Sequence, residues 1–343
     1  MGSVQGAVRR QMNSPAIKRK KIIIALGLLA FAALAAGVLL HVNTDPGVDP
    51  QMELMKKTIS MIVIVASAFF FVLKYDKIVT LPVEIWQNRR LIIKLAGNDF
   101  KRRYAGSYMG VFWAFIQPLV TIALYYFVFG TIMKGARSSG SDVPFVLFLT
   151  CGMVPWFFFS EALSSGTGAL LEYSYLVKKV VFKISVLPII KVVAALLTHA
   201  FFVVLLMILA ILCGYYPNLY WIQIIYYTAC TFVLALAMCY TTCSLVVFVR
   251  DLGQLIAVVL QILVWATPIM WDIGMISNPT MLAILKLNPV IYIVNGYRNS
   301  IYGGVWFFEN FFSTVYFWVI CALLFGIGAV VYKRLKPHFA DVL

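Results

Sequence analysis

The stretch Leu176-Val-Lys-Lys-Val-Val-Phe-Lys-Ile-Ser-Val-Leu-Pro188 lies between two long apolar runs. It is too short to cross a bilayer, which takes about 20 apolar residues in a helix. Its valines and Ile184 recur at a spacing of three and four residues, which predicts a short helix with one apolar face. The flanking spans hold it at a membrane surface, and its lysines indicate the cytoplasmic surface. A soluble partner could push on such a helix.

The composition determines the class of protein. Apolar residues make up 62% of the chain and charged residues 12%, against roughly half and a quarter in soluble domains. The net charge of +15 raises nucleic-acid binding as an alternative. The basic residues, however, cluster at the ends of apolar runs, which is typical of membrane topology. The sequence therefore predicts a membrane protein that does not bind nucleic acid.

Eight stretches are long and apolar enough to suggest transmembrane helices, so we expect an all-α integral membrane protein. They are Ile22–Leu40, Thr58–Leu73, Val111–Met133, Pro144–Leu163, Leu187–Leu212, Ile222–Val249, Leu252–Met270 and Phe311–Tyr332. The first could instead be a signal peptide, because Lys18-Arg-Lys-Lys21 precedes it and Ala33-Leu-Ala35 resembles a cleavage site. Its apolar run is longer than a usual signal core, which favours a retained helix.

The loop charges predict the orientation. Residues 1–21 carry six Lys or Arg and no acid, and residues 74–104 carry eight Lys or Arg and three acids. The loop after the fourth span and the C-terminal tail are also basic. With eight spans all four segments fall on one side, so both termini are expected in the cytoplasm.

Residues 83–102 predict an amphipathic helix in the cytoplasmic interface. Ile93, Ala96 and Phe100 recur with Trp86 on an apolar face. The helix is either a membrane anchor or a force-carrying collar at a pore mouth. Its candidate interface residues are Trp86, Arg89, Arg90, Lys94, Lys101 and Arg102.

The segment between Met270 and Phe311 is expected outside the membrane. Its apolar pieces, Met281–Leu287 and Val290–Ile301, are too short to span and are broken by Asn288-Pro289. They fit half-helices that dip into the outer leaflet. Arg298 then either lines a polar path or forms a plain surface ion pair.

Chemical motifs are absent from the sequence. It contains no GxxxxGK[ST] phosphate loop, no GxSxG, no HExxH and no CxxC. We therefore expect no catalytic, cofactor-binding or metal site in this chain. The six cysteines are interpreted as small buried hydrophobes.

Three polar residues in or near the apolar spans are given structural readings. His199 is interpreted as a packed or inter-helix hydrogen-bonded residue. Glu161 and Lys191, near span ends, are interpreted as snorkelling.

Aromatic side chains are abundant within the spans. Tyr125, Trp156 and Phe157 are candidates for a substrate path, because aromatic faces stack on sugar rings. Membrane-interface belts are the alternative explanation.

An ordered set of motifs resembles the membrane subunits of ABC polysaccharide exporters, the type-2 permeases. The motifs, which run over about residues 80–343, are Gly152-Met-Val-Pro-Trp-Phe-Phe158, Leu176-Val-Lys-Lys-Val-Val-Phe182 with Leu187-Pro188, Arg250-Asp-Leu252, Thr267-Pro-Ile269, Asn288-Pro-Val-Ile-Tyr292, Gly296-Tyr-Arg298 and Lys336-Pro-His-Phe-Ala-Asp341. Trp271-Asp272, Tyr292-Ile-Val-Asn-Gly-Tyr-Arg298 and Trp306-Phe-Phe-Glu309 look most like the wall teichoic acid branch.

The resemblance implies a homodimer bound to two separate ATPase subunits, which would hold ATP and Mg. The substrate would be a glycan on undecaprenyl diphosphate, moved outward across the bacterial cytoplasmic membrane. The ATPase coupling helix would comprise Leu176, Val177, Lys178, Lys179, Val180, Val181, Phe182 and Lys183. The outer gate would comprise Asn288, Pro289, Tyr292, Tyr297 and Arg298.

The chain departs from the family in two places. Phe182-Lys-Ile184 replaces a common Phe-Pro-Arg, and two spans precede the usual six. The expected organisation is therefore an N-terminal part with two extra helices (1–80), the interface helix (81–104) and a six-helix permease domain (105–343). Exporters of O-antigen, capsule or rhamnan and drug-efflux permeases remain alternatives, as does a membrane-embedded glycosyl- or acyltransferase.

Overall fold

The structure is a computed structural model that describes residues 15–40, 88–103, 105–133, 143–177 and 184–343, with isolated positions between 54 and 72. The chain divides into two compact units, Met1–Trp86 and Gln87–Leu343. The first unit contains helix α1, Pro15–Leu40, of which Ile22–Leu39 is apolar enough to cross a membrane. The second predicted span, Thr58–Leu73, lies mostly outside the described residues.

The described residues of the second unit form helices joined by turns and loops, and no strand occurs among them. A 3₁₀ turn, Gly110–Phe112, precedes α3, and a π-helical stretch, Tyr126–Ile132, follows it. The helices are α2 Arg89–Arg103, α3 Trp113–Tyr125, α4 Phe145–Thr167, α5 Ala169–Glu172, α6 Ser174–Val177, α7 Leu187–Leu212, α8 Gln223–Val246, α9 Leu252–Ala266, α10 Pro279–Lys286, α11 Pro289–Arg298, α12 Phe311–Leu335 and α13 Phe339–Val342.

Six helices in the described ranges are long and apolar enough to cross a membrane, so the protein is a multi-pass membrane protein. These helices are Ile22–Leu39, Gly110–Ile132, Phe145–Thr167, Ile184–Leu212, Leu219–Val246 and Phe311–His338. They agree with six of the stretches predicted from hydropathy.

The predicted span Leu252–Met270 is shorter than expected. Helix α9 ends at Ala266 after 15 residues, which is about 22 Å of helix against a hydrocarbon core of about 30 Å. Pro268 is the physical reason, because a proline pushes the preceding residue out of the helical region. Thr267 is accordingly extended, with φ −92° and ψ 132°.

The core of the second unit is built around α4. This helix packs against α7 and α8, and α12 packs on the far side of α8. A glycine allows α4 to pack closely on α8, because a Cβ at Gly166 would lie 2.3 Å from the Sγ of Cys239. All six cysteines are free and five of them are buried, which confirms their interpretation as small core residues.

Two short helices, α10 and α11, occupy the predicted gate region, and each starts at an Asn-Pro pair. The side chain of Asn278 caps α10, and that of Asn288 caps α11. Pro279 and Pro289 stand in the first turns, where the missing N–H costs nothing. A π-helical turn, Asn299–Gly303, follows α11 and ends at Gly304 with φ +61°, a conformation that favours glycine.

Candidate functional site

One face of helix α2 packs on the protein. Ile92, Ala96 and Asp99 are buried, whereas Ile93 is 65% exposed. Of the predicted apolar face, the protein thus covers Ala96 fully, Phe100 in part and Ile93 little. The reason is that α2 packs on α7 and presents a carboxylate to it, a contact that hydrophobic periodicity alone does not show.

The polar face of α2 is as predicted, over the residues that the structure describes. Its five basic candidates are all exposed, namely Arg89, Arg90, Lys94, Lys101 and Arg102. Trp86, the remaining interface candidate, lies outside the described residues.

Asp99 is the centre of a buried polar cluster. Its Oδ1 accepts hydrogen bonds from Lys191 Nζ at 2.6 Å and from Tyr173 OH at 2.7 Å. Its Oδ2 accepts one from Arg103 at 3.2 Å. Asp99 thus joins α2 to α7 and to the turn that follows α5.

The cluster continues into a row of alternating charges. Lys191 Nζ also donates to Glu172 at 2.6 Å, and Arg103 donates to Glu161 at 2.6 Å. The order Glu172–Lys191–Asp99–Arg103–Glu161 gives each inner group an opposite charge on both sides. We call these five residues the ion-pair row.

Lys191 does not snorkel to the membrane surface, so that interpretation is wrong. Its side chain is 1% exposed and is held between two carboxylates. Burying an ammonium is tolerated only when paired and hydrogen-bonded. Glu161, with 27% side-chain exposure, also pairs within the protein rather than only reaching for water.

The surroundings hold Asp99 in its charged form. Burial raises the pKa of Asp99. The hydrogen bonds from Lys191 and Tyr173 and the charges of Lys191 and Arg103 lower it by more, so the pKa lies below the ordinary value of 3.8. Burial and the bond to Asp99 raise the pKa of Tyr173 above its usual range, so the phenol stays neutral. Asp99 is therefore ionised at any cytoplasmic pH, and its charge cannot act as a physiological pH switch.

The predicted coupling segment is only partly described. Leu176 and Val177 end helix α6, and Val177 is buried. Lys178, Lys179, Val180, Val181, Phe182 and Lys183 lie outside the described residues. Beyond them, a 3₁₀ turn at Ile184–Val186 leads into α7, with Pro188 in its first turn.

The three candidates for a substrate path point to different neighbours. The ring of Phe157 lies 6.0 Å from that of Phe202 on α7. Tyr125 packs edge-on to Trp265 of α9 at 6.4 Å. Trp156 is 5% exposed and packs on Phe159 of its own helix at 5.9 Å. These contacts do not bring the three rings into one platform within the subunit.

Two tyrosines of the predicted outer gate fasten α11 to the spanning helices. Tyr297 OH lies 2.7 Å from Thr228 Oγ1 and 3.0 Å from His199 Nε2. Tyr292 OH lies 3.1 Å from Tyr226 OH and 2.9 Å from the hydroxyl of Thr314 on α12. His199 is thus an inter-helix hydrogen-bonded residue, as predicted.

Arg298 forms neither a plain surface ion pair nor an open path lining. It is 7% exposed, and its guanidinium lies 3.6 Å over the ring of Phe148. It donates to the carbonyl of Ile269 at 3.0 Å. Asn288, besides capping α11, donates to Thr267 at 2.9 Å. Arg298 and Asn288 therefore both bind α11 to the chain that follows α9.

Sequence reasoning missed Asp99, Glu172 and Tyr173, and it gave Lys191 the wrong role. One signal was available, because Asp99 is the only acid within the basic helix Arg89–Arg103. Its partners, 74 and 92 residues away in sequence, carried no local sign of the pairing. Among the residues that the structure describes, no group of His, Cys, Asp and Glu could hold a metal ion.

Comparison with known proteins gives a family and three relatives. A family model described as ABC-2 type transporter matches residues 90–302. An O-antigen export system permease protein of Myxococcus xanthus is 28% identical over 220 residues, which cover 64% of this chain and 83% of that protein. Two proteins of the same description from Klebsiella pneumoniae are each 26% identical over 257 residues, covering 74% of this chain and 95% of theirs.

Proposed function

The chain belongs to the ABC-2 type transporter family, and we propose that it is the membrane subunit of an ATP-driven exporter of a lipid-linked polysaccharide in the bacterial cytoplasmic membrane. The family implies an ABC ATPase partner. The observation that carries the substrate class is the similarity to O-antigen export permeases along 83% to 95% of their length. The exporter is proposed to contain two copies of this chain and two of the ATPase, with both termini of the chain in the cytoplasm.

The proposed cargo needs a protected route. A sugar chain in hydrocarbon would leave its polar groups without partners, at several kcal/mol each, so it needs a covered path. Helix α3 and helix α9 present large apolar side chains outward from the subunit, including Trp113, Val120, Val258 and Trp265. We propose that these helices face a second copy and that Tyr125 lies beside the path between the copies.

An O-antigen-type polymer is the first candidate substrate, and teichoic acid is the second. The teichoic acid reading rests on Trp271-Asp272, Tyr292-Ile-Val-Asn-Gly-Tyr-Arg298 and Trp306-Phe-Phe-Glu309. The O-antigen reading rests on similarity along most of the length of the relatives. The longer similarity places the polymer class of the relatives first.

Depletion of the chain in its own organism tests the proposed function. We expect an undecaprenyl-diphosphate-linked glycan to accumulate on the cytoplasmic side, and sugar and phosphate analysis of that glycan distinguishes O-antigen from teichoic acid. The purified chain alone should not hydrolyse ATP, because it lacks a phosphate loop. Unchanged lipid-linked glycan after depletion, with loss of resistance to a drug, would instead support a drug-efflux permease.

A further inference from the structure

A buried lysine is shared by two carboxylates that differ greatly in exposure. Lys191 Nζ lies 2.6 Å from Asp99 Oδ1 and 2.6 Å from Glu172 Oε2. The side chain of Asp99 is 2% exposed, whereas that of Glu172 is 48% exposed. Two contacts of equal length therefore lie in different dielectric surroundings, and breaking them has different consequences.

The contact between Lys191 and Asp99 is the one that cannot open. Both side chains are buried, so separating them would leave two charges without water. Asp99 also accepts from Arg103 of its own helix, which orients the carboxylate. Helices α2 and α7 are therefore expected to move as one body.

The contact between Lys191 and Glu172 can open at lower cost. Half of the Glu172 side chain already meets solvent, so water can take over its bonds, and Lys191 keeps Asp99 as its counter-ion. The next residue, Tyr173, ties the same turn to Asp99 through a neutral phenol at 2.7 Å. Separating this turn from α2 and α7 thus breaks the half-exposed ion pair, the charge-assisted bond from Tyr173 to Asp99, and the contact of Lys191 Nζ with the Tyr173 ring at 5.0 Å.

The Glu172–Lys191 pair lies where its opening could have a functional effect. Glu172 ends α5 and Lys191 lies in the second turn of α7. Their bond joins the two ends of a stretch that contains the predicted coupling segment, 176–183. A push on that stretch can therefore break this bond and change the position of the turn Glu172-Tyr173 relative to α7.

We propose that Lys191 is the positioning residue of a joint that is fixed at Asp99 and releasable at Glu172, and that opening of the Glu172 contact transmits movement of the ATPase partner to α7. The joint gives the permease two arrangements of the turn Glu172-Tyr173 relative to α7. This inference rests on the proposed function, because the movement that it transmits is that of an ATPase.

Thermal unfolding of the full-length chain purified with its ATPase tests the joint without any cargo. Asp99→Asn is expected to lower the unfolding midpoint by about 4 to 10 °C, and Glu172→Gln by less than about 2 °C. Adding Lys191→Met to Asp99→Asn should restore most of the loss, because it removes a buried ammonium whose remaining counter-ion, Glu172, is half-exposed, while the amide oxygen introduced by Asp99→Asn still accepts from Tyr173. Equal losses for Asp99→Asn and Glu172→Gln, or failure of Glu172→Gln to fold, would overturn the joint.

Transport in proteoliposomes tests the positioning role. The complex is supplied with ATP and with undecaprenyl-diphosphate-linked glycan extracted from the producing cells, and the glycan moved per ATP is measured. Glu172→Gln and the pair Asp99→Asn with Lys191→Met should retain ATP turnover within about two-fold and lose at least about five-fold in glycan moved per ATP. The matched control, Glu309→Gln, removes an exposed carboxylate whose one bond among the described residues is from Trp306 N at 3.3 Å, and it should not change that ratio.

Failure of the positioning role and failure of the proposed function give different results. A normal ratio in Glu172→Gln would show that the ion-pair row is structural only, and it would overturn the positioning role while leaving the proposed function intact. Wild-type complex that moves no glycan would instead contradict the proposed function and, with it, the positioning role. In that case the unfolding series still decides whether the joint exists.

Discussion

Asp99 is the residue that sets the rotation of helix α2 about its own axis. Ile93 would bury more apolar surface if it faced the protein, yet it is 65% exposed and Asp99 is buried. Burying one Ile contributes about 1.5 to 3 kcal/mol, whereas breaking a buried ion pair by loss of one partner costs about 3 to 5 kcal/mol. Once Lys191 is buried in α7, its need for a counter-ion therefore outweighs the preference of the isoleucine.

The packing at Gly166 allows a prediction about the effect of one added methyl group. A methyl group at this position would lie 2.3 Å from Cys239 Sγ and 3.2 Å from Cys239 Cβ. We expect Gly166→Ala to lower the free energy of unfolding by about 1 to 3 kcal/mol, as overpacking does. Combining it with Cys239→Ala removes the sulfur and should recover most of the loss, measured by thermal unfolding in detergent.

The control for this prediction is Gly326→Ala in α12, where an added Cβ meets nothing within 4 Å. It should be neutral or slightly stabilising, because alanine favours a helix over glycine by about 1 kcal/mol. A double variant no more stable than Gly166→Ala would show that the α4–α8 contact is limited by something other than the sulfur.

At the scale of elements, most local signals were read correctly, whereas tertiary ones were not. The Asn-Pro pairs at Asn278 and Asn288 specify helix starts through the side chain and the proline ring alone, so α10 and α11 could be predicted. The end of α9 is also local, since Thr267-Pro268 stops the helix, but the apolar run up to Met270 concealed it. The packed face of α2 depends on Lys191, which lies outside the helix, and periodicity cannot show it.

Arg298 provides a prediction about how helix α11 is held. Its guanidinium is buried over Phe148 and bonds the carbonyl of Ile269, so it anchors α11 to the chain after α9. We expect Arg298→Lys to lower both thermal stability and export, because an ammonium cannot lie flat on a ring and reach the carbonyl at once.

Arg298→Met serves as the comparison, since it keeps much of the apolar volume and loses the charge. It should be destabilised by about 1 to 3 kcal/mol for the unpaired carbonyl. Export lost in both variants at full thermal stability would contradict the anchoring role and support Arg298 as a residue that lines a polar path at the outer gate.

The coupling segment gives the second prediction at this scale. Charge reversal at Lys178 and Lys179 together with Phe182→Ala should weaken ATPase association or uncouple ATP turnover from export. An apolar stripe can seat in a partner's groove while lysines pair with acids at its rim. The measurements are co-purification of the ATPase, ATP turnover and glycan export in a correctly inserted protein.

The matched control reverses the charges of Lys333 and Arg334, basic residues at the end of α12. Normal values of all three measurements for the triple variant would exclude the segment from coupling.

At the scale of the whole molecule, hydropathy predicted most of the architecture. A membrane helix has to satisfy its own backbone, so a long apolar run leaves few alternatives to a spanning helix. The cluster at Asp99 could not be predicted in the same way. Asp99, Tyr173 and Lys191 are brought together by the packing of α2, α5 and α7, and each taken alone resembles an ordinary residue at the end of a span.

The N-terminal part of the chain allows a prediction about topology. The family match begins at residue 90, and residues 74–104 carry eight Lys or Arg against three acids. Removing two spans leaves α2 and the later spans on the same sides of the membrane as before, because an even number is lost. The basic segment then holds α2 in the cytoplasm. We therefore expect a chain lacking residues 1–80 to insert with α2 and the C-terminus cytoplasmic and to bind its ATPase.

A chain lacking only residues 1–45 keeps one span, which places its new N-terminus and the basic segment on opposite sides of the membrane. Both favour the cytoplasm, so the chain should insert in both orientations. Cysteine accessibility at Lys101→Cys, read from both sides of the membrane, tests both chains; identical, uniform insertion of the two would show that residues 58–73 do not span.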